Sequence, residues 1–377
     1  MSACTDLLTE LIAVASITPE DADCQAILIK RLTQLGFTIT PLPDDPVSNF
    51  WAKRGQTQPL LAFAGHTDVV PSGPVEQWRY PPFQATIDQD FIYGRGVADM
   101  KGALAAMVVA CERFIEQYPD HRGSIGFIIT SGEEGDHYHQ GTPTIMQHLA
   151  DHGETIAGCI VGEPSSTDQL GDVIKIGRRG SLSATLTIHG KQGHVAYPQL
   201  AINPIHQAAP FITELTQTVW DHGTDHFPPT TLQISNLHSG VGATNVIPAD
   251  LVMQFNLRYN PTCDHQTLQH RIEHLLDQHA LRYTIDWTLS GEPFLTEPGP
   301  LIDVTTQAIV EVTGQPPTLS TSGGTSDARF IAPYDIPVIE LGVSNRTIHQ
   351  INERVAIVEL EQLVEVYYRI LCQWLLN

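Results

Sequence analysis

Leu60–Asp68 reads LLAFAGHTD, an apolar run that ends at Gly65 and then presents His66 and Asp68 two residues apart. Taken alone, a His-x-Asp at this point is most simply a strand surfacing into a polar loop. A bound metal is the sharper reading, because His is the commonest metal ligand and a neighbouring carboxylate can orient its ring. Choosing between them depends on whether the rest of the chain supplies further ligands.

The motif recurs. Ser124–Thr130 (SIGFIIT) is a second apolar run, followed by Ser131-Gly132-Glu133-Glu134-Gly135. Ala157–Val161 (AGCIV) is a third, followed by Gly162-Glu163-Pro164. Helices are expected between these strands, at 100–118 and 143–150. Alternating strands and helices imply a largely parallel sheet, in which ligands gather at the carboxyl ends of strands. Gly94, Gly96 and Asp99 lead into the 100–118 helix, and its small residues suit close packing on a sheet. Upstream, Thr5 and Asp6 are the expected caps of a first helix, with Leu7, Leu8, Leu11 and Ile12 on one face. Thr18-Pro19 is expected to open a second helix that stops at Gly36.

The texture changes after Val173. Ser181–Gly190 alternates polar and apolar residues, as a half-exposed strand does. A helix near 203–219, strands at 230–237 and 246–259, a helix at 264–279 and a strand at 282–289 complete an antiparallel α+β unit. From about Pro293 the α/β texture resumes, with helices at 300–313 and 359–376. The expected architecture is α/β: a mixed, largely parallel sheet flanked by helices, formed by residues 1–179 and 293–377. An inserted α+β domain spans 180–292.

The 377 residues, 42% hydrophobic and 16% charged, describe an ordinary globular protein with ample core. A net charge of -22 argues against non-specific nucleic-acid binding. The six cysteines form no CxxC pair and read as thiols of a reducing compartment. The N-terminus has no basic stretch followed by an apolar one, and no apolar run approaches the ~20 residues needed to span a bilayer. A cytoplasmic protein without membrane partners is expected.

Three strand ends carry ligand-type residues, and the mix of His and carboxylate without Cys suits Zn²⁺, Co²⁺ or Mn²⁺ in a hydrolytic site. Adjacent glutamates at a buried strand end repel and lose hydration unless one meets a cation. If Glu134 does so, Glu133 is left to act as a general base. A solvated acidic turn accounts for the pair equally well. Arg258 stands among apolar residues in FNLRYN, where an anion is the usual partner.

GHTDVVP (65–71), GRGVADMKGALAAMV (94–108), TSGEEG (130–135), VGEPSS (161–166) and His349 identify the chain as resembling the M20 family of di-zinc aminoacyl hydrolases. GRRGSL (177–182), GKQGHVAYP (190–198), NVIPAD (245–250) and SGGTSDARF (322–330) resemble most the members that release succinate from N-succinyl-LL-2,6-diaminopimelate, a small-molecule substrate. Acetylornithine deacetylases and dipeptidases are the alternatives. The resemblance implies two Zn²⁺ per subunit, with Co²⁺ able to substitute. It places His66, Asp99 and Glu163 on one ion and Asp99, Glu134 and His349 on the other. It implies Glu133 as general acid and base, Asp68 as the partner that fixes the His66 ring, and His194 as an oxyanion stabiliser. In dimeric members that His serves the partner subunit's site, which implies a homodimer built through the inserted domain. Substrate-binding roles follow for Arg178, Ser181, Asn245, Arg258, Gly324 and Thr325. Thr244 departs from the family pattern, which carries a second Asn there.

Overall fold

The computed structural model describes residues 2–376. The chain divides into two compact units: Met1–Gly177 with Leu295–Ser320 and Ser326–Asn377, and Arg178–Phe294 with Thr321–Thr325.

The larger unit is built on an eight-stranded sheet. Its order is Thr38–Pro41, Asn49–Arg54, Ser124–Thr130, Leu60–His66, Gly158–Val161, Val338–Glu340, Val173–Lys175 and Thr318–Ser320. The strand pairs flanking Leu60–His66 are parallel, whereas Thr38–Pro41 and Asn49–Arg54 extend the sheet antiparallel. Leu60–His66 is buried along its whole length because both faces of the sheet are covered. Leu61 and Phe63 point into one core with the helices Ala3–Ile12, Gly102–Gln117 and Ile357–Leu375. There the Phe63 ring packs 5.5 Å from Phe127 and 5.3 Å from Tyr367. On the other face, the helix Thr142–Asp151 packs on Asn49–Arg54 and Ser124–Thr130.

Two helix starts differ from expectation. The first helix is Ala3–Ile12, capped by Ser2, whose hydroxyl accepts from Thr5 N–H; Thr5 and Asp6 lie inside it. The second is Cys24–Gln34, not a helix opening at Thr18-Pro19. Thr18 N–H instead donates to the Val69 carbonyl at 3.0 Å, and Ile17 bridges to Val69. This pulls 17–18 onto the end of the central strand. Asp21 then accepts from Gln25 N–H at 3.0 Å and from the Thr67 hydroxyl at 2.7 Å. A tertiary contact thus overrides a good local start signal.

The smaller unit has a four-stranded antiparallel sheet, ordered Thr231–Ser239, Asp250–Tyr259, Gly180–His189 and Tyr283–Gly291. Gly180–His189 alternates buried and half-buried positions, as its sequence pattern requires. The helices Pro204–Gln217 and His265–Gln278 share its core with Leu182, Leu186, Phe211, Met253 and Phe255. The expected 246–259 strand is split into Val246–Ile247 and Asp250–Tyr259, with Pro248 between them. Thr321–Thr325 belongs to this unit, held there by Arg178, which donates to the Ser322 carbonyl at 2.8 Å, and by the Thr321 hydroxyl, which donates to the His226 carbonyl. Among the described residues no helix is long and apolar enough to cross a membrane.

Candidate metal centre

Parallel pairing puts His66 opposite Thr130. The chain beyond each strand therefore emerges on the same edge of the sheet, and Glu133-Glu134 come beside His66. Gly158–Val161 pairs on the other side of Leu60–His66, and its continuation delivers Glu163 to that edge. Gly65 makes the close approach possible: a Cβ there would lie 2.4 Å from Met100 Cε. Met100 follows Asp99, and its side chain packs against Gly65 near the end of the strand. Asp99 itself has non-helical dihedrals, and the regular helix begins only at Gly102.

His66 is fully buried, and its Nε2 lies 3.3 Å from Asp99 Oδ1 and 3.6 Å from Glu163 Oε1. The other oxygen of Asp99 faces His349, 3.4 Å from its Nε2. His349 Nε2 is also 3.0 Å from Glu134 Oε1. One carboxylate thus has an imidazole on each side. Two three-residue groups bring their ligand atoms within 4.8 Å of one another: His66, Glu133 and Glu163, and His66, Asp99 and Glu134.

These residues suit a divalent cation. His66 Nε2 and Asp99 Oδ1 are buried with no hydrogen-bond partner among the described residues. His66 Nδ1 lies 2.9 Å from the Asp68 carbonyl. A carbonyl can only accept, so Nδ1 carries a proton and Nε2 is the ring nitrogen turned toward the other acids.

The electrostatics agree. Burial pushes the Glu133 carboxyl up to about 8, with Asp327 and Glu134 adding to the rise and His66 opposing it. Burial likewise raises Glu134, and it raises Glu163 well above the usual range, helped by Asp99 and Glu133. Burial disfavours a charged His66, yet Asp99, Asp68, Glu163 and Glu133 outweigh it and hold its pKa well above normal. His349 is raised to about 10 by Asp99 and Glu134. A crowded set of buried acids that holds protons in place of a cation is the donor set a metal ion relieves.

Asp68 meets the His66 ring through its main chain. Its carboxylate lies 3.5 Å from Nδ1, and accepts from the backbone N–H of Glu133 at 3.3 Å and of Glu134 at 3.0 Å. The carboxylate therefore shapes the turn that aims the two glutamates.

The remaining expected site residues lie in the smaller unit. Ser181, buried, stands opposite Arg258 in the antiparallel ladder and accepts from Asn256 Nδ2 at 3.0 Å. The Arg178 guanidinium lies against Gly323, where φ is +106° and a Cβ would sit 2.4 Å from Nη1. Gly324 and Thr325 follow in the same loop, which leads only to the one-turn helix Ala328–Ile331. Exposed His194 sits on a two-residue ladder, Gly193–His194 against Val246–Ile247, beside Asn245, whose carbonyl accepts from Val195 N–H.

Sequence reasoning missed two buried acids, Asp327 and Glu353. The available signals were weak: an acid in a Gly/Ser loop, and an acid four residues beyond His349.

The model of peptidase family M20/M25/M40 matches residues 62–373. The chain belongs to this family. A Hahella chejuensis protein named succinyl-diaminopimelate desuccinylase is 56% identical over 371 residues, covering 98% of this chain and 97% of the relative. A Pseudomonas syringae protein of the same name is 54% identical over 377 residues, covering 100% and 98%. The M20 fold is shared with the solved metallo-carboxypeptidase of Sulfolobus solfataricus, with a TM-score of 0.82 at 17% identity over 99% of each chain. In this M20 chain the central sheet is mixed and mostly parallel, with helices on both faces and the α+β unit added to it.

Proposed function

We propose that the chain hydrolyses the amide of N-succinyl-LL-2,6-diaminopimelate, giving succinate and LL-2,6-diaminopimelate. The observation that carries this reading is 56% identity, over nearly the full length of both chains, to a relative bearing that activity in its name. The gathered ligand set supports the chemistry. His66, Asp99 and Glu163 are assigned to one ion position and Asp99, Glu134 and His349 to the other, with Asp99 shared. Zinc is the assigned metal, with cobalt a competent substitute, following the resemblance to di-zinc hydrolases; imidazole and carboxylate donors without thiolate accept either ion.

When bound, the ions polarise the amide carbonyl and ease deprotonation of a water at the site. Glu133 accepts that water's proton and returns it to the departing amine. Burial raises its proton affinity and suits it to both tasks near neutral pH. Asp68 holds the Glu133-Glu134 turn through two backbone N–H groups and the His66 ring through its carbonyl. Arg178 and Arg258, with Ser181, Asn245, Gly324 and Thr325, are assigned to the substrate's polar and carboxylate groups.

His194 is assigned to the oxyanion of the partner subunit's site in a homodimer. The apolar side chains Val195, Tyr197 and Leu200 are exposed in the segment that follows it, and Thr231–Ser239 is a largely exposed sheet edge. Both suit burial against a second copy. We assign the cytoplasm as the compartment, in keeping with six free thiols.

The test is turnover of N-succinyl-LL-2,6-diaminopimelate by metal-free protein given Zn²⁺ or Co²⁺, beside N-acetylornithine and dipeptides. Metal-dependent turnover that prefers the succinylated substrate is expected. Preference for either competitor sinks the substrate assignment, and full activity under chelator sinks the metal.

A further inference from the structure

Glu353 is fully buried, and its carboxylate hydrogen-bonds to the segment that carries Asp99. Oε2 accepts from Arg95 Nη1 at 2.7 Å and from Gly96 N–H at 2.9 Å. Oε1 accepts from Ala98 N–H at 2.9 Å and from Asp99 N–H at 3.2 Å. These N–H groups precede the first regular turn of the Gly102–Gln117 helix and have no helical acceptor. One acid thus satisfies three backbone donors of this loop and a buried guanidinium, a set that would be costly to leave unmade.

The other side of Glu353 belongs to His349. Residues 347–354 form a turn closed on itself: the Thr347 hydroxyl donates to the Arg354 carbonyl at 2.9 Å and accepts from Arg354 N–H at 3.0 Å. Inside that turn His349 and Asn352 hold left-handed dihedrals, φ +60° and +64°. The turn is moored to the Asp99 segment a second time, because Arg354–Ala356 pairs with Phe91–Tyr93 and Gly94 N–H donates to the Glu353 carbonyl at 3.1 Å. Arg95 adds a third tie through the Gln350 carbonyl at 3.3 Å. Two ligand-bearing segments some 250 residues apart in sequence therefore meet at one carboxylate.

We propose that Glu353 is a positioning residue for the metal centre: it locks the Gly96–Asp99 segment to the turn bearing His349, so that Asp99 and His349 face a common ion position before any ion binds. The inference rests on the metal reading above. Its particular consequence is selective. Loss of the lock disturbs the ion position that needs both Asp99 and His349 more than the one that needs Asp99 with strand-end ligands, because His66 and Glu163 are set by the sheet.

Co²⁺ titration of metal-free full-length protein, followed by calorimetry and visible absorption, provides the test. Wild type is expected to take up two ions. Glu353→Gln, which replaces one acceptor oxygen by a donor, is expected to bind one ion within about 3-fold of wild type and the other at least about 10-fold more weakly. Equal weakening of both ions, or of neither, overturns the proposal while leaving the metal reading intact; a wild-type chain that binds no ion overturns both. Hydrogen exchange on metal-free wild type needs no variant and decides the matter if the variant fails to fold. The Gly96, Ala98 and Asp99 amides are expected to be protected without metal. Free exchange that stops only when Zn²⁺ is added would show that the ion, not Glu353, orders the segment.

Discussion

At the scale of single residues the centre depends on which atom of each side chain faces which neighbour. Asp99 offers its two oxygens to two different imidazoles, 3.3 and 3.4 Å away. Asp68 separates its roles between carbonyl and carboxylate. Glu133 belongs to the same cluster and is the acid proposed as general base. Glu133→Gln is expected to lower kcat by about 10²–10⁴, the range for loss of a general base. Metal content measured on the same sample should stay at the wild-type value. A variant that retained near wild-type turnover with both ions bound would remove Glu133 from the mechanism. The residues expected from sequence to hold metal include His66, Asp99, Glu134 and Glu163, which share a legible signature: a ligand-type side chain just past an apolar run, or one in a glycine-rich junction; His349 joins them only through the family resemblance. Glu353 has no such signature, because its meaning lies in N–H groups more than 250 positions away.

At the scale of elements, local patterns placed the strands well and the helix starts less well. Leu60–His66, Ser124–Thr130 and Gly158–Val161 are where their apolar runs put them. The Cys24 helix starts late because backbone bonds to Val69 outweigh a Thr-Pro opening. A second loop device sits at Asp172, whose carboxylate accepts from Thr167 N–H at 2.8 Å, the Thr167 hydroxyl at 2.7 Å and Asp168 N–H at 2.7 Å. Burial there favours the neutral acid, but these donors outweigh it and hold its pKa below the usual carboxylate range. A folded pKa below the unfolded one contributes stability that is present above about pH 4 and lost as pH falls through the folded value. Asp172→Asn is therefore expected to cost about 1 kcal/mol at pH 7, solvent screening of this part-exposed group keeping it small. Urea unfolding of the two proteins should converge only below about pH 4. A gap independent of pH would mean that the charge plays no part.

At the scale of the whole molecule, metal and assembly are the two expected sources of added stability and activity. An ion held only by the folded state stabilises it by about 2.7 kcal/mol per site at a free concentration one hundred times Kd. Scanning calorimetry should show a higher Tm with Zn²⁺ and its reversal with chelator; an unchanged Tm would count against a built site. If His194 serves the partner's centre, mixing and re-equilibrating the inactive variants Glu133→Gln and His194→Ala should restore about a quarter of wild-type activity, since half the dimers carry one complete site. Mixtures as inactive as their parents would place His194 in its own subunit's chemistry, and an active His194→Ala parent would place it outside the chemistry.

The sequence by itself determined the α/β class, the antiparallel texture of the added unit and the placing of ligand-type residues at strand ends. Those follow from periodicity along the chain and from residue types at element ends, which are local properties. Tertiary structure alone decided that Asp99 faces two imidazoles, that Asp68 holds the ring of His66 by its carbonyl, and that a buried Glu353 joins the two ligand-bearing segments. Each depends on where side chains and backbone groups come to lie in space, set by sheet register and by the need of every buried donor to find an acceptor.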